Sequence, residues 1–74
     1  MAPAKRSLTL SGHRTSVSLE QPFWDCFRRL AAAEGIAVNA LAARIDAARP
    51  PDAGLASAIR LHVLEAALAG KLAR

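Results

Sequence analysis

The chain has 74 residues, 53% of them hydrophobic, with a formal net charge of +4 and one cysteine, Cys26. That is one small domain, with no internal disulfide and no run approaching the ~18 apolar residues of a membrane span. A pI near 10.7 favours a polyanionic partner such as nucleic acid over an acidic small molecule, and the lone cysteine fits a reducing, cytoplasmic setting.

Alanine supplies 18 of the hydrophobic residues, leaving ten Leu, three Val, three Ile, two Phe and one Trp to build the core. So thin a supply is expected to need a second copy of the chain. The Ala-rich stretches with Leu at helical spacing predict a mainly α protein.

Residues 1–7 read as a flexible basic arm, because Pro3 and its small neighbours offer little to pack while Lys5 and Arg6 carry charge. Leu8-Thr9-Leu10 alternates, Ser11-Gly12-His13 reads as a turn, and a strand over 14–19 follows. Alternation sets Thr15, Val17 and Leu19 on one face of that strand and Arg14, Ser16 and Ser18 on the other. A lone strand is not stable, and the partner expected here is the same strand of another copy. Residues 6–10 and 14–19 are loosely similar. The first is thus either an extended arm, the reading preferred here, or a short pairing strand.

A helix over about 21–34 opens at Gln21 or Pro22, since proline in the first turn gives up only an amide with no intrahelical partner. Phe23, Phe27, Leu30 and Ala31 form its stripe, with Trp24 on the flank and Asp25, Arg28 and Arg29 facing away. Gly35 is suited to the left-handed stop, with Ile36 as its apolar contact. A second helix over about 38–48 buries Val38, Leu41, Ala42 and Ile45, until Pro50 and Pro51 break the ladder. A third, over about 55–72, carries Leu55, Ile59, Val63 and Ala66 on one stripe and Leu61, Leu64 and Leu68 on the next. An apolar arc that wide predicts burial against both its own subunit and another.

The order strand, helix, Gly-containing turn, helix over Arg14 to Ile45 resembles the ribbon-helix-helix DNA-binding proteins of the MetJ/Arc type. Lys5 to Leu10, Gly12 to Glu20 and Phe23-Trp24 look like one bacterial subgroup of them. The resemblance implies an intertwined homodimer, or a tetramer, with an intersubunit antiparallel β-ribbon and a third C-terminal helix, occupying 8–72. It further implies sequence-specific binding of double-stranded DNA, as a transcriptional repressor or autoregulator whose ribbon enters the major groove.

On that reading Arg14, Ser16 and Ser18 contact base edges, since a guanidinium can grip guanine bidentately and hydroxyls can donate or accept. Phosphates would meet the amides of Val38 and Asn39 at a helix start, where Ala37 replaces the usual Ser or Thr, with Lys5 and Arg6 as substitutes. Residues 55–57, with Ser57, are the alternative if the third helix plays the second helix's part. Val17, Leu19, Phe23, Phe27, Leu41, Ile45, Ile59 and Val63 are the expected dimer core.

His13, Cys26 and His62 stand on different elements without ligand spacing, so no metal or cofactor is expected. Glu20, Asp25, Glu34, Asp46 and Glu65 are scattered, no nucleophile has an evident base, and no enzyme is expected. Trp24 reads as a core or subunit contact rather than a base-stacking platform. The competing function is a homo-oligomerising protein-interaction module, an adaptor or antitoxin, supported by the wide apolar arc. Basic Lys71 and Arg74 fit an antitoxin's acidic tail poorly.

Overall fold

A computed structural model describes residues 1–73. Strand β1 (Ala4–Leu10) and strand β2 (His13–Leu19) are followed by helices α1 (Gln21–Glu34), α2 (Val38–Ala48) and α3 (Leu55–Leu68).

The strands form an antiparallel hairpin with Leu10 opposite His13, Leu8 opposite Thr15 and Arg6 opposite Val17. This corrects one expectation: residues 4–7 are strand rather than arm, and β1 is a pairing strand of β2 within the chain. The cause is the two-residue turn, in which Ser11 and Gly12 both take positive φ, 51° and 81°. That geometry matches the right-handed twist of the flanking strands and closes a hairpin. Glycine adopts it without strain, and Gly12 supplies half of the turn.

Alternation then decides what each strand buries. Leu8 from β1 and Val17 and Leu19 from β2 point inward and are buried, while Thr15, on the same face, stays exposed. Beneath them lie Phe27, Leu30 and Ala31 of α1, Leu41, Ala42 and Ile45 of α2, and Ile59, Val63 and Ala66 of α3. Most of the expected dimer core, namely Val17, Leu19, Phe27, Leu41, Ile45, Ile59 and Val63, is therefore buried inside one chain, with Phe23 half-buried at its margin. A single copy closes this core because β1 adds Leu8 and α3 adds a third wall.

The helix ends follow local chemistry. Gly35 takes φ 70°, and the amides of Gly35 and Ile36 donate to the carbonyls of Ala32 and Ala31 at 3.0 Å each, the paired bonds of a left-handed stop. After α2, Arg49 is extended and its guanidinium donates to Asp46 at 2.7 Å and to the Ala53 carbonyl at 2.6 Å, tying down the proline turn. Helix α3 stops at Leu68 rather than Leu72, because Gly70 takes φ 80° and Lys71 N–H closes back on the Ala66 carbonyl at 2.9 Å. Leu72 then folds against the core.

The two stripes of α3 meet different fates. Ile59, Val63 and Ala66 are buried, whereas Leu61, Leu64 and Leu68 are 57%, 51% and 80% exposed.

If β1 is an integral strand, Leu8→Ala empties a core position and should cost about 2–5 kcal/mol in urea unfolding. A loss under about 0.5 kcal/mol, the usual effect of a surface change, would return residues 4–10 to the status of an arm.

Candidate nucleic-acid interface

Because side chains directly opposite one another in an antiparallel pair share a face, burying Leu8, Val17 and Leu19 turns another set outward. Lys5 stands opposite Ser18, Ser7 opposite Ser16, and Thr9 opposite Arg14. All six are exposed. The hairpin thus presents two basic groups and four hydroxyls on one side, and no Asp or Glu precedes Glu20. Arg14, Ser16 and Ser18 lie where the alternation of β2 puts them. Ser7 and Thr9 are additions from β1, and their signal in the sequence is the polar parity of Lys5, Ser7 and Thr9 against Leu8 and Leu10.

Two arginines clamp the junction between β2 and α1 from opposite sides. Arg6 shares the inward parity of Leu8: its guanidinium donates to Gln21 Oε1 at 2.9 Å, approaches the Leu19 carbonyl at 3.5 Å and lies 5.5 Å from the centre of the Trp24 ring. Arg6 is therefore not gathered with the outward set and is anchored at this junction instead. From α3, Arg60 grips both carboxylate oxygens of Glu20 at 2.9 and 3.1 Å, donates to the Ser18 carbonyl at 3.2 Å and sits 5.9 Å from the Phe23 ring. This clamp was not among the expected functional residues, since it pairs side chains 40 positions apart.

Asn39 has a dual position. Its Oδ1 accepts the Thr9 N–H at 3.0 Å, which fixes the first turn of α2 beside the edge of β1. Ala37 supplies no side-chain cap there. An open cleft of about 560 Å³ is lined by Asp25, Arg28, Arg29, Ile36, Ala37 and Val38 among others. Arg29 donates to the Leu72 carbonyl at 2.9 Å. Lys5 lies on the outward face of the ribbon and Asn39 at the edge of β1, whereas Val38 lines the cleft and packs against the core.

The other singled-out residues are dispersed. Cys26 is half-buried and packs on the core, His13 begins β2 in an exposed position, and Trp24 packs on Phe27 with ring centres 6.0 Å apart. Among the described residues no three of His, Cys, Asp and Glu converge on a metal-sized site, and no helix is long and apolar enough to cross a membrane.

Compared with known proteins, residues 3–67 match the model of a family described as ribbon-helix-helix domain. No curated protein and no solved structure matches the chain.

The Arg60 hydrogen bonds hold the Glu20 carboxyl below its ordinary value. A carboxylate whose folded pKa lies below its unfolded one stabilises fully above the unfolded value, and that contribution disappears as pH falls through the folded one. The difference in melting temperature between the native chain and Glu20→Gln should therefore be largest near neutrality and shrink in acid. A difference that stays constant down to acid pH would remove the ion pair from the clamp.

Proposed function

The chain belongs to the ribbon-helix-helix domain family, whose members are generally DNA-binding transcription regulators, and from that premise we propose a sequence-specific repressor or autoregulator that inserts its β-ribbon into the major groove of double-stranded DNA. The observation that carries this reading is the hairpin's outward face, where Lys5, Ser7, Thr9, Arg14, Ser16 and Ser18 are exposed over a ribbon anchored by its apolar side. Two strands ~5 Å apart fit a major groove ~12 Å wide. Short hydroxyls let the backbone approach the base edges, and Arg14 can engage guanine O6 and N7 together. Phosphate positioning falls to Lys5 and to the amides of Val38 and Asn39 at the start of α2, where the helix dipole favours an anion.

A homodimer is part of the same proposal. Leu61, Leu64 and Leu68 recur at helical spacing on the exposed side of α3, and a second copy of that stripe is the simplest cover for it. It would bring a second ribbon to the same duplex. The competing interaction-module reading rests on the same leucines but leaves the polar ribbon without a task.

In an anisotropy titration, Arg14→Ala should weaken binding to a selected duplex by about 1–3 kcal/mol. The affinity of the native chain should fall log-linearly with salt as counterions are released. Unchanged affinity in the variant, with no preference among duplexes, would refute the regulator. Separately, Leu64→Asp should shift the native mass from dimer to monomer, and a monomeric native chain at tens of micromolar would refute the α3 contact.

A further inference from the structure

Asp25, Arg28 and Arg29, on the exposed side of α1, take no part in the outward face of the ribbon. Asp25 stands one helical turn before the two arginines, the order and spacing at which an acid and a base pair along a helix. Yet no ion pair joins them among the described residues. Asp25 Oδ1 instead accepts from Gln21 Nε2 at 2.8 Å, and Arg29 donates to the Leu72 carbonyl at 2.9 Å. Among the described residues, Arg28 and the ribbon's Arg14 are the arginines left without a side-chain bond, since Arg6, Arg44, Arg49 and Arg60 all have partners.

These three charged residues line one cleft of about 560 Å³, whose wall is completed by the apolar surface of Ala32, Ile36 and Val38. That volume is in the range of small-molecule sites, ~300–1,000 Å³. With Arg29 committed to the Leu72 carbonyl, the uncommitted charges at the cleft are one of each sign, Arg28 and the second oxygen of Asp25.

From this we infer that the cleft is a binding site for a small zwitterion with an apolar side chain, an α-amino acid of the aliphatic class. The planar fork of Arg28 suits a carboxylate, which it can hold through two parallel hydrogen bonds. The ligand's ammonium donates to the free Asp25 oxygen, and its side chain covers Ala32, Ile36 and Val38. A simple anion or a simple cation would satisfy one of the two charges and leave the other without a partner. Binding is also felt at the ribbon's anchor, because Gln21 accepts from Arg6 at 2.9 Å and a hydrogen-bonded chain runs from Arg6 through Gln21 to Asp25. The site involves no DNA. It stands or falls apart from the regulator reading.

The test is an NMR titration of the full isotope-labelled chain, without DNA, using L-leucine and two probes of the same body that each lack one charge, 4-methylpentanoate and 3-methylbutylamine. L-Leucine should shift the backbone amides of Ile36 and Val38 and the side-chain signals of Arg28 and Gln21 saturably. It should bind at least about fivefold more tightly than either probe, the upper range for one solvent-exposed charge pair. Asp25→Asn keeps the acceptor for Gln21 and should erase the preference over 4-methylpentanoate. Arg28→Gln should erase the preference over 3-methylbutylamine. Both positions are exposed, and unchanged signals from the buried core show that each variant folds. The inference is overturned if L-leucine gives no saturable shift at these residues, if either probe binds the native chain as tightly as L-leucine, or if both variants keep the native preferences.

Discussion

Burial of Leu8, Val17 and Leu19 beneath the hairpin is the interaction on which the rest of the molecule depends. These side chains, 2%, 6% and 0% exposed, are the sheet's main grip on the helices, and a two-stranded ribbon without such a face is marginally stable in water. Since successive residues of a strand point to opposite sides, seating three apolar groups also decides that hydroxyls and cations face solvent. Stability and recognition are thus assigned to opposite sides of the same fourteen or so residues. The outward groups are replaceable without disturbing the core.

Orientation is a second requirement, met at the junction between β2 and α1. Arg6 over Trp24 and Arg60 over Phe23 approach this junction from β1 and from α3, and each also donates to a carbonyl at the end of β2. Guanidinium suits the task, because its planar fork can hydrogen-bond in its plane while its face lies on an aromatic ring. The consequence is a ribbon whose tilt relative to the helices is set by side chains that take no part in the outward face. The α2 start is tied to the opposite margin through Asn39 and Thr9, so a groove-facing surface and its flank are held as one piece.

Much of this is legible in the residues themselves. The inward parity of Val17 and Leu19, the helix starts, the stop at Gly35 and the break at Pro50 follow from local rules of alternation, capping and proline geometry. What escapes is non-local or depends on one backbone torsion. Reading Ser11-Gly12-His13 as a three-residue turn would set Leu8 opposite Ser16, on the face of the exposed hydroxyls; the two-residue turn sets it opposite Thr15, on the face of Val17 and Leu19, and makes β1 a strand. The clue is present in the shared parity of Arg6, Leu8 and Leu10, which also sends Arg6 inward. Helix α3 is over-read because Leu72 prolongs its leucine pattern past Gly70, where the backbone turns left-handed. The Arg60 to Glu20 contact joins residues too far apart in sequence for any periodicity to reveal it.

The central claim, that the ribbon closes within one chain, is tested most directly by isotope-filtered NMR on an equimolar mixture of labelled and unlabelled protein. Ser7 and Ser16 face each other in a pair whose α-protons approach closely across the strands. The account predicts a strong Ser7 to Ser16 α-proton contact within labelled molecules and none between labelled and unlabelled ones. A contact seen only between molecules, or a Ser16 to Ser16 contact across two copies in place of it, would contradict the account.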